Sequence, residues 1–305
     1  MKTLTAASFN LARDFVHGRA RPIDEALFAY TFENGKPDAV WDTLHSFSNA
    51  DGGFGHGMEP DCRLPGSSAL GIITAFPYLL QTNAPANHPL VKNGIQYLMD
   101  VYDGSLQGWK MLPPEVNNYP RASWWNYDLK TADKAVIEDW SNPSACVVAY
   151  LHRYAEIVPD SFLLEVTEKA VSVFSEKRET IEGHSYLPFI ELADALPIET
   201  SKTIWSDLKK QAHAAIVTDP AKWTGYGIRP LSAVPTPDSP LIEVMVESVN
   251  AHLDFEIDRQ HTDGSWHPFW TWGQFDAEWK KAKVEWQGQL TVNLLRSLKA
   301  FGRVA

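Results

Sequence analysis

The chain is short of cysteine, of single-sign charge runs and of long apolar stretches. Its 305 residues include two cysteines, Cys62 and Cys146, far apart in the sequence. Two thiols make no disulfide framework, so a reducing cytoplasm is the expected setting. No apolar run reaches the roughly 18 residues that a membrane-crossing helix needs. Residues 1–22 lack a hydrophobic core of signal-peptide length, so no signal peptide is expected. Lys and Arg number 27 against 38 Asp and Glu, a net charge of −11 with no basic run. That balance excludes nucleic acid as a partner, because phosphate binding needs a clustered cationic surface. Period-two alternation is missing over any strand-length segment, which leaves an all-α class.

Tryptophan, by contrast, is abundant, with 12 residues. Chains this rich in indole often line a cavity or groove with rings. Hydrophobic residues make up 44% of the chain, and the length supports one large domain or two small ones. No linker interrupts the helical series. The Pro-rich stretch 229–240 is the nearest candidate, and it reads as a loop within a single domain spanning 1–305.

Helical periodicity covers 22–34, 37–49, 66–81, 88–102, 143–157, 161–178, 199–217, 240–261 and 286–301, with shorter helices at 8–17, 188–196 and 274–282. Pro22, Pro37 and Pro143 suit first-turn positions; Asn142 and Asp160 suit caps. The connections alternate in length. Those at 82–87, 158–159 and 197–198 are short and make neighbours antiparallel; those at 50–65, 103–141, 179–187, 218–239 and 262–285 are long. Long ordered loops in compact proteins are usually functional. Alternation brings them to one end of the helical array, where function is expected.

Each long loop holds glycine beside an aromatic: "DGGFG" at 51–55, "GSLQGW" at 104–109, "EGHSY" at 182–186, "WTGYG" at 223–227 and "DGSW" at 263–266. Such a repeat suggests stacked helical hairpins. In "RQHTDGSWHPFW", 259–270, Gln260, Gly264 and Trp266 resemble the QW repeat of the terpenoid cyclase and protein prenyltransferase superfamily, whose members include squalene–hopene cyclases. "SNADGGFG" is similar to a degenerate copy, with Asn49 for Gln and Phe54 for Trp. The small residues Ser67, Ser68, Ala69, Ser144 and Ala145 fit the family's inner-helix starts. The resemblance implies an α/α toroid of about six hairpins, with inner helices around a central cavity. The family's Asp-x-Asp-Asp and Asp-Asp-x-x-Asp motifs are absent, and Asp61-Cys62 lacks the Asp-x-Cys spacing of the prenyltransferase zinc site. The architecture therefore transfers and the chemistry does not.

The stretch "HGMEPDC" has no counterpart in the other corners. His56, Glu59 and Asp61 precede a buried helix, and turn chemistry does not call for them. Two carboxyls in an enclosed site repel each other and split into an acid and a base, so these three are the catalytic candidates. The competing reading is a solvated loop of caps and salt links. Rings concentrate in the long loops: Trp109, Trp124, Trp125, Tyr127, Trp223, Tyr226, Trp270 and Trp272 are candidate substrate contacts, with a lid core of rings packed on each other as the alternative. Arg229 suits an anionic group, and Glu285, expected just before the last inner helix, suits the cavity or a helix N-terminus. His184 and His267 are weaker candidates. No cofactor or metal is expected: zinc on His56, Asp61 and Cys62 matches no zinc spacing, and G-x-G-x-G at 53–57 follows a helix rather than a strand.

Three functions stand open. One is a terpenoid-cyclase-like or prenyltransferase-like enzyme, with Asp61 or Glu59 protonating an alkene and rings stabilising the cation. The second is a carbohydrate-active hydrolase, lyase or epimerase using the same carboxyls. The third is a non-catalytic binding protein using the loop face. All imply a small-molecule ligand, isoprenoid or saccharide; no oligomeric state follows from the sequence.

Overall fold

The computed structural model describes every residue except Lys134, Ala135, Ile137, Glu138 and Glu182, together with the side chain of His184. The described residues form twelve α-helices and no strand. The all-α class is as the composition and periodicity predict. The chain divides into two compact units. One comprises Met1–Lys36, Leu208–Thr271 and Ala277–Ala305; the other comprises Pro37–Asp207 and Trp272–Asp276.

The first unit contains α1 (Ala6–Arg19), α2 (Pro22–Phe32), α10 (Pro230–Ala233), α11 (Ile242–Asp258) and nearly all of α12 (Asp276–Ala300). Thr5 caps α1 by accepting from Ser8 N at 3.1 Å, and Pro22 opens α2 where no amide donor is required. Phe9, Phe28 and Phe32 pack ring against ring between α1 and α2. The chain ends pair, with Leu4 N donating to Arg303 O and Ala305 N to Leu4 O.

Two helices expected at 274–282 and 286–301 are one continuous helix, α12. Residues 283–286, Lys-Val-Glu-Trp, hold no breaker, so nothing in the local chemistry ends the first segment. Glu285 therefore lies inside a helix rather than ahead of one. Gly288 does not interrupt α12 either; a Cβ there would stand 2.7 Å from Ala20 Cβ, so its absence permits close packing.

The second unit contains α3 (Pro37–His45), α4 (Ala69–Gln81), α5 (Pro89–Asp100), α6 (Ser141–Arg153), α7 (Asp160–Lys177) and α8 (Tyr186–Ala195). The boundary between units falls inside α9 (Ile198–Ala215). Helix α6 packs against α4, α7 and α8. Its apolar and small residues are nearly all buried, from Pro143 and Ser144 to Leu151. Asn142 keeps a non-helical backbone, so the regular helix starts at Pro143 as expected. Asp160 is the first residue of α7 rather than its cap, and Pro159 stands in the cap position. Ser68 caps α4, accepting from Gly71 N at 3.0 Å.

Pro77 lies inside α4 and cannot donate to the carbonyl of Ile73. The Tyr150 hydroxyl of α6 donates to that carbonyl at 3.4 Å. In this unit the long connections precede α4, α6 and α8, and the short ones follow them. The long loops meet: Arg63 N donates to Pro120 O at 2.9 Å, Ala122 N to Asp61 O at 2.8 Å and Leu70 N to Met111 O at 3.1 Å.

Candidate functional site

Two of the glycine–aromatic corners share one construction. At 49–54, Asn49 N donates to Gly53 O (2.9 Å) and Gly52 N to Asn49 O (3.0 Å), while Gly53 N donates to the Asp51 carboxylate (3.0 Å). At 261–266, His261 N donates to Ser265 O and Gly264 N to His261 O, with Ser265 N donating to the Asp263 carboxylate. Gly52 and Gly264 both have φ of 88°, a conformation open to glycine and costly for other residues. These bonds pair Asn49 with His261, one position along from Gln260. A third corner pairs Asp103 with Gly108, and the left-handed residue is Gln107 rather than Gly104.

In two corners the aromatic is a keystone. Trp109 N donates to Ser144 Oγ and its indole to Leu98 O at 2.7 Å; Trp266 N donates to Thr291 Oγ1 and its indole to Glu256 O at 2.8 Å. Small hydroxyl residues of the next helix thus satisfy the corner's backbone. The 223–227 corner is built differently, on an Ile216–Ile228 pairing. The 182–186 corner includes Glu182, outside the described residues.

Trp109, Trp223, Trp266 and Trp272 are among the largest fully buried side chains. Trp109 packs with Tyr102 and Phe162. Trp223 donates its indole N–H to Val217 O at 2.7 Å and stands edge-on to His252. Trp109 and Trp223 thus have other rings for neighbours. Trp270 stands edge-on to Trp286 at 5.1 Å, Trp124 is half exposed, and Tyr226 is 85% exposed. Arg229 donates Nε to Trp223 O (2.6 Å) and Nη2 to Gly225 O (3.3 Å). Its guanidinium and that of Arg259 each lie 4.3 Å from the Phe269 ring centroid. Burial lowers its basicity, and its donors serve the loop that carries it. Glu285 is partly buried within α12. His267 stacks on His261 at 3.5 Å.

In the second unit Trp272 and the 120–126 loop meet Asp61. This carboxyl is 2% exposed, and the indole of Trp272 donates to its Oδ1 at 2.5 Å. Trp272 arrives on residues 272–276, tied to the 120–126 loop by Ser123 N to Trp272 O (3.3 Å) and Gln274 Nε2 to Arg121 O (2.9 Å). The Arg63 guanidinium covers the Trp272 ring at 5.9 Å, and that of Arg121 covers Phe275 at 5.9 Å. Arg121 Nη1 binds the carbonyls of Val116, Asn117 and Tyr119, while its buried Nε has no hydrogen-bond partner. Trp125 and Tyr127 pack on the cluster of Cys62, Leu64, Leu70, Leu112 and Val116. The Trp125 indole N–H is buried with no partner. Burial pushes the Cys62 thiol up to about 11, so it is held neutral.

His56 sits apart in character. It is exposed, adopts φ of 54°, and its Nε2 contacts Asn49 Oδ1 at 2.9 Å. Glu59 is half-buried. Sequence reasoning missed Arg63 and Arg121, which lie in "PDCRLP" and "YPRASW". The only signal was a lone arginine beside a singled-out motif, and solvated loops show the same feature. Among the described residues no group of three His, Cys, Asp or Glu is placed to hold a metal ion, and no helix is long and apolar enough to cross a membrane. Comparison of the chain with protein-family models, curated proteins and solved structures finds no match.

Proposed function

We propose that the chain binds a small hydroxylated or carboxylated substrate of the saccharide class at the Asp61 loops, with Asp61 and Glu59 as its acid–base pair. One observation carries this reading: the Arg63 guanidinium lies over the ring of Trp272, the indole that donates to Asp61. A cyclase needs open π faces to stabilise a carbocation, and Arg63 and Arg121 lie over Trp272 and Phe275 instead. Cationic groups beside a carbocation raise its energy, whereas they favour anionic or oxygen-rich ligands. The unpartnered donors Trp125 Nε1 and Arg121 Nε point the same way, since buried donors seek oxygen acceptors. The isoprenoid reading keeps support from the QW-like corner, whose hydrogen bonds recur at 49–54.

Calorimetric titration with glucuronate, glucose and geraniol separates the readings, followed by proton NMR of the bound compound for turnover. The expected result is sugar or sugar-acid binding that weakens about tenfold, some 1.4 kcal/mol, in both Asp61→Asn and Trp125→Phe. Geraniol binding without sugar binding overturns the proposal. Sugar binding with no turnover favours the non-catalytic alternative.

A further inference from the structure

The short-loop end of the second unit carries a cleft of about 610 Å³. Its walls come from the C-terminal parts of α4, α6 and α8 and from the connections after α4 and α6. The polar lining includes Gln81, Asn83, Arg153, Tyr154, Glu156, Glu191 and Asp194.

Three features set these acids apart from an ordinary solvated face. First, Glu191 and Asp194 occupy the last turns of α8, facing the negative end of the helix dipole, where carboxylates cost stability. The α4 and α6 C-termini add to that negative potential. Second, Arg153 acts on both carboxyls through space but forms no direct ion pair with either. Third, acceptors in the cleft lack donors. The Gln81 side-chain oxygen is buried without a partner. So is the hydroxyl of Tyr154, a residue only 5% exposed. Both side chains are exposed at the cleft wall; partial desolvation there, followed by repulsion from Asp194, holds Glu191 above the usual carboxylate range. Burial does the same to Asp194, with Arg153 opposing.

We propose that this cleft is a binding site for a small organic ammonium ion bearing several N–H donors. A cation offsets three carboxyls facing one guanidinium, and its N–H groups satisfy Gln81 Oε1 and the hydroxyl of Tyr154. The Tyr150 ring supplies an apolar wall, its hydroxyl being engaged with Ile73 O. The site is separate from the Asp61 loops and does not depend on the function proposed for them.

Isothermal titration at low ionic strength with putrescine and cadaverine tests this, with 1,4-butanediol and 1,5-pentanediol as neutral isosteres. Both amines bind and the neutral compounds do not. Glu191→Gln and Asp194→Asn each weaken the amines by about tenfold, and Tyr154→Phe by about threefold. Glu168→Gln, which removes the same charge from the exposed face of α7, changes affinity less than about twofold. Ala86→Trp at the rim fills the cleft without altering a charge, and it abolishes binding even where a carboxyl variant folds poorly. Neutral isosteres that bind as well as the amines overturn the proposal. So does an equal loss in Glu168→Gln, which marks general attraction to a chain of net charge −11. The absence of any amine binding overturns it as well.

Discussion

The bond from Trp272 to Asp61 should be among the stronger side-chain interactions of the second unit, and its worth follows from its surroundings. The carboxyl is 2% exposed and the indole nitrogen lies 2.5 Å from Oδ1. A hydrogen bond to a charged group contributes about 1.5–3 kcal/mol. Trp272→Phe removes this donor and also roughly 40 Å² of buried ring, a further ~1 kcal/mol at about 25 cal/mol/Å². The single variant should therefore lose about 2.5–4 kcal/mol. Packing and pairing are separated by a double-mutant cycle with Asp61→Ala, because the area term cancels and the pairwise term remains. The expected coupling is about 1.5–3 kcal/mol, and with Asp61→Asn, which keeps a neutral acceptor, about half the interaction survives. Urea titration followed by near-ultraviolet circular dichroism measures each corner of the cycle. Protection of the Trp272 indole proton from exchange gives a local readout. A coupling below about 0.5 kcal/mol would show that the short contact is incidental to stability and that Trp272 is held by packing alone.

Three further outcomes are expected. Gly264→Ala meets both a left-handed backbone and the Leu11 carbonyl 2.3 Å from the new Cβ, whereas Gly302→Ala, at φ of 63°, meets open space. Urea midpoints should show a loss of about 1–2 kcal/mol for Gly302 and about 1–3 kcal/mol more for Gly264; equal losses refute the close approach. Burial raises both thiols, Cys62 to about 11. Ellman's reagent at neutral pH should therefore detect no native thiol and two in denaturant. His17 lies between Glu25 and Glu33, each 3.0 Å from a ring nitrogen, and its basicity is raised chiefly by the bond to Glu25. Its contribution to stability is complete below the unfolded midpoint near 6.5 and is lost as pH rises through the higher folded midpoint. An NMR titration should place that midpoint above about 6.5 and bring it down in Glu25→Gln; an unchanged midpoint refutes the pairing.

Local chemistry was enough to read the helices and the corners. Pro22 and Pro37 each begin a helix because proline lacks the donor that a first turn leaves unused. Asp-Gly beside an aromatic marked two of the corners because only glycine adopts their left-handed turn at low cost. At 274–301 the same local reasoning split one helix into two, although residues 283–286 hold no breaker.

The sequence by itself determined the all-α class, the helix starts at Pro22 and Pro37 and the Asp-Gly turns at 51–52 and 263–264, because each depends on neighbours within a few residues. Tertiary structure decided which carboxyl is buried, which ring serves as a keystone and where a cleft opens. Asp61 meets Trp272 across 211 positions, and no local periodicity encodes that encounter. Trp109 and Trp125 look alike as loop indoles, yet one N–H meets the Leu98 carbonyl and the other is left without a partner. Glu191 and Asp194 of α8 share a cleft with Gln81 of α4 and Tyr154 after α6. Burial and partner identity are properties of packing, and packing exists only once distant segments meet.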